Sequence, residues 1–348
     1  MFLNSINNFR AIAILFIVAG HCFYISNIQF GAIWGPIIYN LINGGTVFFV
    51  FISGFLFHHL FYRKYEFNSF LKSKFKRLFL PYTILSIAPI ILCFKFKPNF
   101  WIDGSSTFTP GILQDYAIPA LKYFLSGEHM VAYWYIPFAL LLFLFSPLHI
   151  AFIKLNLKIQ IGVLSLLFVI SSLIHRPSEF LMVFHSLLYF TPVYLFGILC
   201  SIHKESIYLK LKGKDLILLA SALGFAALEV YFGNKGNYVK EFFVFNGVDL
   251  MLIQKTLLCL FFMVWLHRYE HFSNKYVNIV ATTSFTIFFL HGYFLWILNY
   301  TKSYFGIYFS YPWIAYLSIS LFLLLISVWT SLIVKKLLPK YSRYIIGY

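Results

Sequence analysis

Charge is what this chain has least of. Only 11% of its 348 residues are Asp, Glu, Lys or Arg, against roughly 25% in an ordinary soluble domain, and this excludes a water-soluble globular fold. Cysteine is also sparse. Cys22, Cys93, Cys200 and Cys259 stand singly in apolar runs with no C-x-x-C pair, so they support neither a disulfide framework nor a zinc site and read as reduced packing residues. No metal is expected. Neither a repeat of fixed period nor a linker rich in Gly, Pro or Ser divides the chain, and residues 1–348 are read as one domain. No Lys or Arg precedes Arg10, and no small-x-small cleavage site closes the first apolar run, which is therefore read as a retained helix rather than a signal peptide. The tail after Lys335 reads as a short basic stub with no soluble domain appended.

What the chain does have is apolar length. Hydrophobic residues make up 61% and aromatics 22%, with a mean hydropathy of +0.81. Windows long enough to cross ~30 Å of hydrocarbon fall at about 9–28, 44–62, 78–97, 132–152, 159–174, 182–202, 216–232, 248–267, 279–298 and 312–334. The expected fold is all-α: a polytopic integral membrane bundle of about ten transmembrane helices. The net charge of +16 does not call for nucleic acid, because membrane proteins gather Lys and Arg in cytoplasmic segments. With the N-terminus inside, those segments hold 19 of the 27 Lys and Arg, the outer segments hold 7, and Lys255 lies within the eighth span. The bias predicts cytoplasmic termini and a multi-pass protein of the cytoplasmic (inner) membrane. The longest outer loop, about 98–131, contains Asp103-Gly104-Ser105-Ser106 and is long enough for a cap or re-entrant structure.

Arg10 and His21 are eleven residues apart, which at about 100° per residue comes within about 20° of three full turns and rises ~16 Å. They share one face of the first helix. With Arg10 at the inner surface, His21 falls near the bilayer midplane, where an ionisable side chain is costly and faces the bundle interior or a watery cavity. An apolar surround disfavours imidazolium, leaving a neutral imidazole, which is the free base that hydroxyl activation requires. An interhelical hydrogen bond for His21 and a snorkelling anchor for Arg10 explain the same spacing. Cys22 points about 100° away from this stripe and is a poor nucleophile in apolar surroundings.

In the second span, Ser53-Gly54 offers a small-residue notch for close helix approach. Beyond it comes Lys72-Ser73-Lys74-Phe75-Lys76-Arg77, then Pro81-Tyr82 at the start of the third span. Such a basic run is a topology anchor, a contact for anionic lipid, or a grip on the phosphates of a cytoplasmic cofactor.

Taken together, Arg10 through His21, the Phe48-Phe49-x-x-x-Ser53-Gly54-Phe55 segment, the basic run with Pro81-Tyr82, Tyr133-Trp134-Tyr135-Ile136-Pro137 and the Thr283-to-His291 segment TSFTIFFLH resemble, in order and register, the signatures of the membrane-bound acyltransferase family 3. The resemblance covers about residues 5–335. It implies transfer of an acyl group, by default acetyl, from acyl-CoA to a hydroxyl of a surface polysaccharide or lipid-linked glycan. It also implies Arg10 and His21 as the essential pair, with Lys72, Lys74 and Arg77 where relatives usually carry arginines. Lys76 belongs to the same run. Lysine lacks the bidentate fork, so the expected phosphate grip differs from that of relatives. Some relatives carry a carboxylate in a late helix, whereas this chain has no Asp or Glu after Glu270.

On this reading the inner basic run and Arg10 hold the donor phosphates, the pantetheine arm extends along the first helix, and His21 deprotonates the acceptor. A transient acyl-histidine is the covalent variant. His291 is a candidate partner or second base for His21, or a structural hydrogen-bonding group. Lys255, His185, Glu229 and Asp249 approach the outer side and either line an acceptor vestibule or pair among themselves, Lys255 with Asp249 or Glu229. Tyr133 and Trp134 either stack on a sugar ring or belong to an interfacial aromatic belt. The expected partners are acyl-CoA, a glycan or lipid-linked saccharide, and the bilayer. A lipid-linked glycan transporter or polymerase without acyl chemistry would share this composition, although no inverted repeat is visible. A haem protein using His21, His185 and His291 is a third class.

Overall fold

In the computed structural model, residues 3–31, 33–96, 111–178 and 181–348 are described. Asp103-Gly104-Ser105-Ser106 in the long outer loop lies outside them. The chain builds helices α1 (Asn4–Ile25), α2 (Trp34–Ile42), α3 (Thr46–Leu56), α4 (Phe67–Lys74), α5 (Leu80–Phe96), α6 (Ile118–Ser126), α7 (Tyr135–Leu144), α8 (Ser146–Lys154), α9 (Leu157–Ile174) and α10 (Val183–Ile202). These are followed by α11 (Lys204–Leu211), α12 (Asp215–Tyr231), α13 (Leu250–His267), α14 (Lys275–Thr282), α15 (Ser284–Tyr304), α16 (Pro312–Leu337) and α17 (Ser342–Ile345). Two short strands, β1 (Arg176–Pro177) and β2 (Val239–Lys240), pair in parallel with Arg176 opposite Val239.

Among the described residues, 7 helices are long and apolar enough to cross a membrane, and 9 when each of two bent pairs counts as one span. The bends are 56° between α7 and α8 and 72° between α14 and α15. The remaining window of the ten, 216–232, is α12, whose 17 residues rise ~26 Å, short of the ~30 Å core. The basic run between the second and third windows is itself helical. α4 continues through a wide turn at Phe75–Phe79 into α5, so the cations project from one continuous helical segment, Phe67–Phe96.

The most buried spans are α1, α10, α13 and the α2–α3 segment, while α9, α16 and the α4–α5 segment are the most exposed. On α16, Leu317, Leu321, Leu325 and Trp329 follow each other four residues apart and are all exposed, giving an apolar stripe suited to lipid. Phe9 and Phe16 of α1, Phe48 of α3 and Phe262 of α13 form an aromatic cluster, with Phe9 and Phe262 ring centroids 5.3 Å apart. The small-residue notch is used: a Cβ on Gly54 would lie 2.0 Å from the Tyr194 carbonyl oxygen, and one on Gly197 would lie 2.1 Å from that of Phe51. Helices α3 and α10 therefore cross backbone against backbone, which only glycine permits.

Candidate active site

The 72° break before Ser284 turns α15 alongside α1. Arg10 Nη2 donates to Ser284 Oγ at 3.0 Å, so the break supplies the acceptor that orients the guanidinium. Arg10 lines a cavity of about 490 Å³ together with Lys74, Arg77, Lys335 and Arg343. No Asp or Glu side chain lines it, whereas Phe49, Tyr135 and Phe285 supply an apolar wall. The Lys74 ammonium also lies 4.5 Å from the centroid of Phe143, within cation–π range. Lys72 and Lys76 are exposed and do not line this cavity. Lys335 and Arg343 reach it from the chain end, where the sequence offered only a basic stub. Five cations with no Asp or Glu among the lining residues, over an apolar wall, suit a polyanion bearing an apolar arm.

Toward the other end of α1, His21 lines a second cavity, of about 40 Å³, with Asn43, Gly44, Gly45, Trp134 and Arg176. Gly44 has φ +75°, in the region that favours glycine. A Cβ on Gly45 would lie 3.0 Å from Phe16 Cβ and 3.2 Å from Ile17 N. These two glycines let the turn before α3 press against the backbone of α1. His291 of α15 stacks on His21 with ring centroids 5.4 Å apart and planes inclined 28°. His291 Nδ1 donates to the Ile287 carbonyl at 2.9 Å, leaving Nε2 buried with no hydrogen-bond partner among the described residues. That assigns the His291 proton to Nδ1 and a bare lone pair to Nε2.

The two cavities occupy successive levels between the same helices. On α1 they are reached from Arg10 and then Phe16, Ile17 and His21; on α3 from Phe49 and then Thr46. On α7, Tyr135 faces the larger cavity, and Trp134, just before the helix, faces the smaller. From Phe49 to Thr46 is a single turn of about 4.5 Å rise.

The other outer-side residues separate. Trp134 is in the His21 cavity, but Tyr133 is fully buried and its hydroxyl donates to the Phe289 carbonyl at 3.2 Å. Lys255 is also fully buried. Its ammonium donates to the carbonyls of Asn40 at 2.8 Å and Leu41 at 2.6 Å, and among the described residues no carboxylate lies within 4.0 Å of it. Asp249 instead caps α13 at the Leu252 N–H and accepts from Tyr189 Oη at 2.8 Å. His185 accepts or donates nothing at His21; its Nε2 donates to the carbonyls of Ile174 and His175. No three His, Cys, Asp or Glu side chains among the described residues are grouped to hold a metal ion.

One residue of the His21 cavity is not evident from sequence. Arg176, from β1, lies with its guanidinium carbon 4.4 Å from the Trp134 ring centroid. In the chain it is one more outer-side cation; the β1–β2 pairing brings it inward.

No curated protein and no solved structure matches the chain. A family profile described as an acyltransferase domain matches residues 3–333, nearly the whole length, and it includes Arg10, His21, Ser284 and His291. The chain is thus a multi-pass, all-α membrane protein that belongs to the acyltransferase family 3.

Proposed function

We propose that this protein transfers an acyl group, by default acetyl, from acyl-CoA to a hydroxyl of a cell-surface polysaccharide or lipid-linked glycan, from the inner membrane with both termini in the cytoplasm. The observation that carries this is the two-level site. A cation-lined cavity at Arg10 and a smaller one at His21 lie at successive levels between α1, α3 and the start of α7. The ~16 Å rise from Arg10 to His21 divides the labour. Arg10, Lys74 and Arg77, with Lys335 and Arg343, take the donor's phosphates. The pantetheine arm runs toward His21 past Phe49 and Tyr135, apolar walls that cost it little desolvation. Lys72 and Lys76 are exposed beside this cavity and contribute by long-range attraction.

His21 takes the proton of the acceptor hydroxyl as its oxygen attacks the thioester carbonyl. A C–O bond forms, the C–S bond breaks, and the proton passes from His21 to the departing thiolate, giving ester and free CoA. A positioned general base contributes about 10²–10⁴-fold. Trp134, its ring already packed against Arg176 and Phe190, lines the cavity in which the sugar is taken.

Membrane vesicles carrying wild type or His21→Gln, supplied with acetyl-CoA and lipid-linked glycans extracted from cells lacking the gene, test this by mass spectrometry. Wild type should add one acyl mass to the glycan and the variant should add none. Acylation by neither, or equally by both, overturns the reading.

A further inference from the structure

Arg176 is the only Lys, Arg, Asp or Glu among the described residues lining the His21 cavity. Its guanidinium lies over Trp134 at 4.4 Å. A cation–π contact at this distance does not use up the guanidinium's N–H groups as hydrogen-bond donors. Among the described residues none of those N–H groups has a hydrogen-bond acceptor, and no carboxylate lies within 4.0 Å. The nearby carboxylate of Asp249 is already taken by Tyr189 Oη and the Leu252 N–H. A half-buried, unsatisfied arginine beside a candidate base calls for an oxygen bearing negative charge. The positive end of α3 adds to this. Gly45 and Thr46 line the same cavity, and the first turn of that helix carries neither an acidic residue nor a side-chain cap.

We infer that Arg176 is the donor to the oxyanion that develops on the acyl carbonyl during transfer, an inference that rests on the acyl-transfer reading above. As the acceptor oxygen bonds to the carbonyl carbon and His21 takes its proton, the C=O π pair moves onto oxygen. Arg176 donates N–H bonds to that oxygen. When the pair returns, the C–S bond breaks and sulfur leaves with the proton from His21. Arg10 is ~16 Å away along α1 and cannot reach this oxygen. The in-plane fork of Arg176 can meet an oxygen whose charge exists only in the transition state, so its contribution belongs to kcat.

The test is a kinetic series in membrane vesicles with acetyl-CoA as donor, lipid-linked glycans from cells lacking the gene as acceptor, and thiol release as readout. The series comprises wild type, His21→Ala, Arg176→Gln, Arg176→Met and Arg176→Lys. We expect Arg176→Gln and Arg176→Met to lose about 10²–10³-fold in kcat, the usual scale for one oxyanion donor, with acetyl-CoA binding and acceptor KM unchanged. Arg176→Lys should regain at least about tenfold over Arg176→Gln, since it keeps the charge but not the fork. Three results overturn the inference: turnover near wild type in Arg176→Gln, a loss that lies wholly in acceptor KM, or loss of acetyl-CoA binding by all three variants, Arg176→Lys included. The last would make Arg176 a packing residue on Trp134. If wild type turns over and His21→Ala does not while Arg176→Gln stays active, this inference alone fails. If wild type is idle with acetyl-CoA, the acyl-transfer reading fails with it.

Discussion

His21 and His291 stack at 5.4 Å between centroids, with planes inclined 28°, although 270 positions separate them in the chain. The contact is face to face, and no hydrogen bond joins the rings. His291 therefore shapes the wall against which His21 packs, while its own Nδ1 proton is committed to the Ile287 carbonyl. Replacing His291 by Phe keeps a ring of similar outline and removes the lone pair. That variant should lose less than about tenfold in acyl transfer, whereas His21→Gln should lose about 10²–10⁴-fold. Initial rates in vesicles at equal protein levels measure both. Equal losses would instead make His291 a second proton carrier.

The basic residues around the donor cavity divide by geometry rather than by charge. Lys74 and Arg77 line it and Lys72 and Lys76 do not. Lys74→Ala and Arg77→Ala should each weaken acetyl-CoA binding by about fivefold to fiftyfold, the range expected for a lost charge-assisted hydrogen bond. Lys72→Ala and Lys76→Ala should weaken it by about twofold or less, consistent with exposed charges screened by salt. Arg343→Ala should behave like Arg77→Ala, although it stands near the chain end. Isothermal titration in detergent with acetyl-CoA at low and high salt separates the two groups. Equal effects at all four positions of the run would show that only its total charge matters.

Local periodicity made part of this arrangement legible in sequence. The Arg10–His21 stripe follows from 3.6 residues per turn, the Ser53-Gly54 notch from side-chain size, and the segment ending in His291 from its motif. What could not be read depends on tertiary folding. The 72° break that hands Ser284 to Arg10 has no Pro or Gly at residues 280–285 to announce it. Arg176 enters the His21 cavity through a two-residue strand pairing across more than sixty positions, which no window reports. Lys335 and Arg343 join the donor cavity because α16 and α17 fold the chain end back beside α5. The partner of Lys255 was open between two carboxylates, but the carbonyls at the end of α2 lie nearer.

The crossing of α3 and α10 sets the level of the whole site, because Thr46, Phe49 and Ser53 all project from α3. With a Cβ at Gly54 or Gly197 about 2 Å from a facing carbonyl oxygen, the helices must separate. Gly54→Ala and Gly197→Ala should each destabilise by at least about 1–3 kcal/mol, as overpacking does. Gly224→Ala is the control: nothing lies within 4 Å of that position, so alanine's better helix propensity should leave stability unchanged or raise it by up to about 1 kcal/mol. Thermal unfolding in detergent followed by intrinsic fluorescence ranks the three. If Gly54→Ala melts with wild type, the close crossing is not required.

Lys255 presents the sharpest choice between structure and substrate. Its ammonium closes two carbonyls in the last turn of α2, those of Asn40 and Leu41, which a helix end leaves without intrahelical partners. Its Cε lies 3.1 Å from where a Cβ on Gly44 would stand, so the chain supports the glycine turn that frames the His21 cavity. Lys255→Met keeps the length and apolar volume but takes the ammonium from the Leu41 carbonyl and leaves the Asn40 carbonyl with only the 3.4 Å bond from Gln254 Nε2. Removing a buried charge offsets part of that loss, and the net cost should be about 1–3 kcal/mol. The expected signature is a lowered melting temperature with acetyl-CoA binding intact and a fall in kcat as the turn shifts. Acceptor KM should stay within about twofold, because the ammonium is fully buried and the one N–H its two carbonyls leave over is out of a sugar's reach. A raised acceptor KM at an unchanged melting temperature would instead put Lys255 in contact with the acceptor and remove its role as a helix cap.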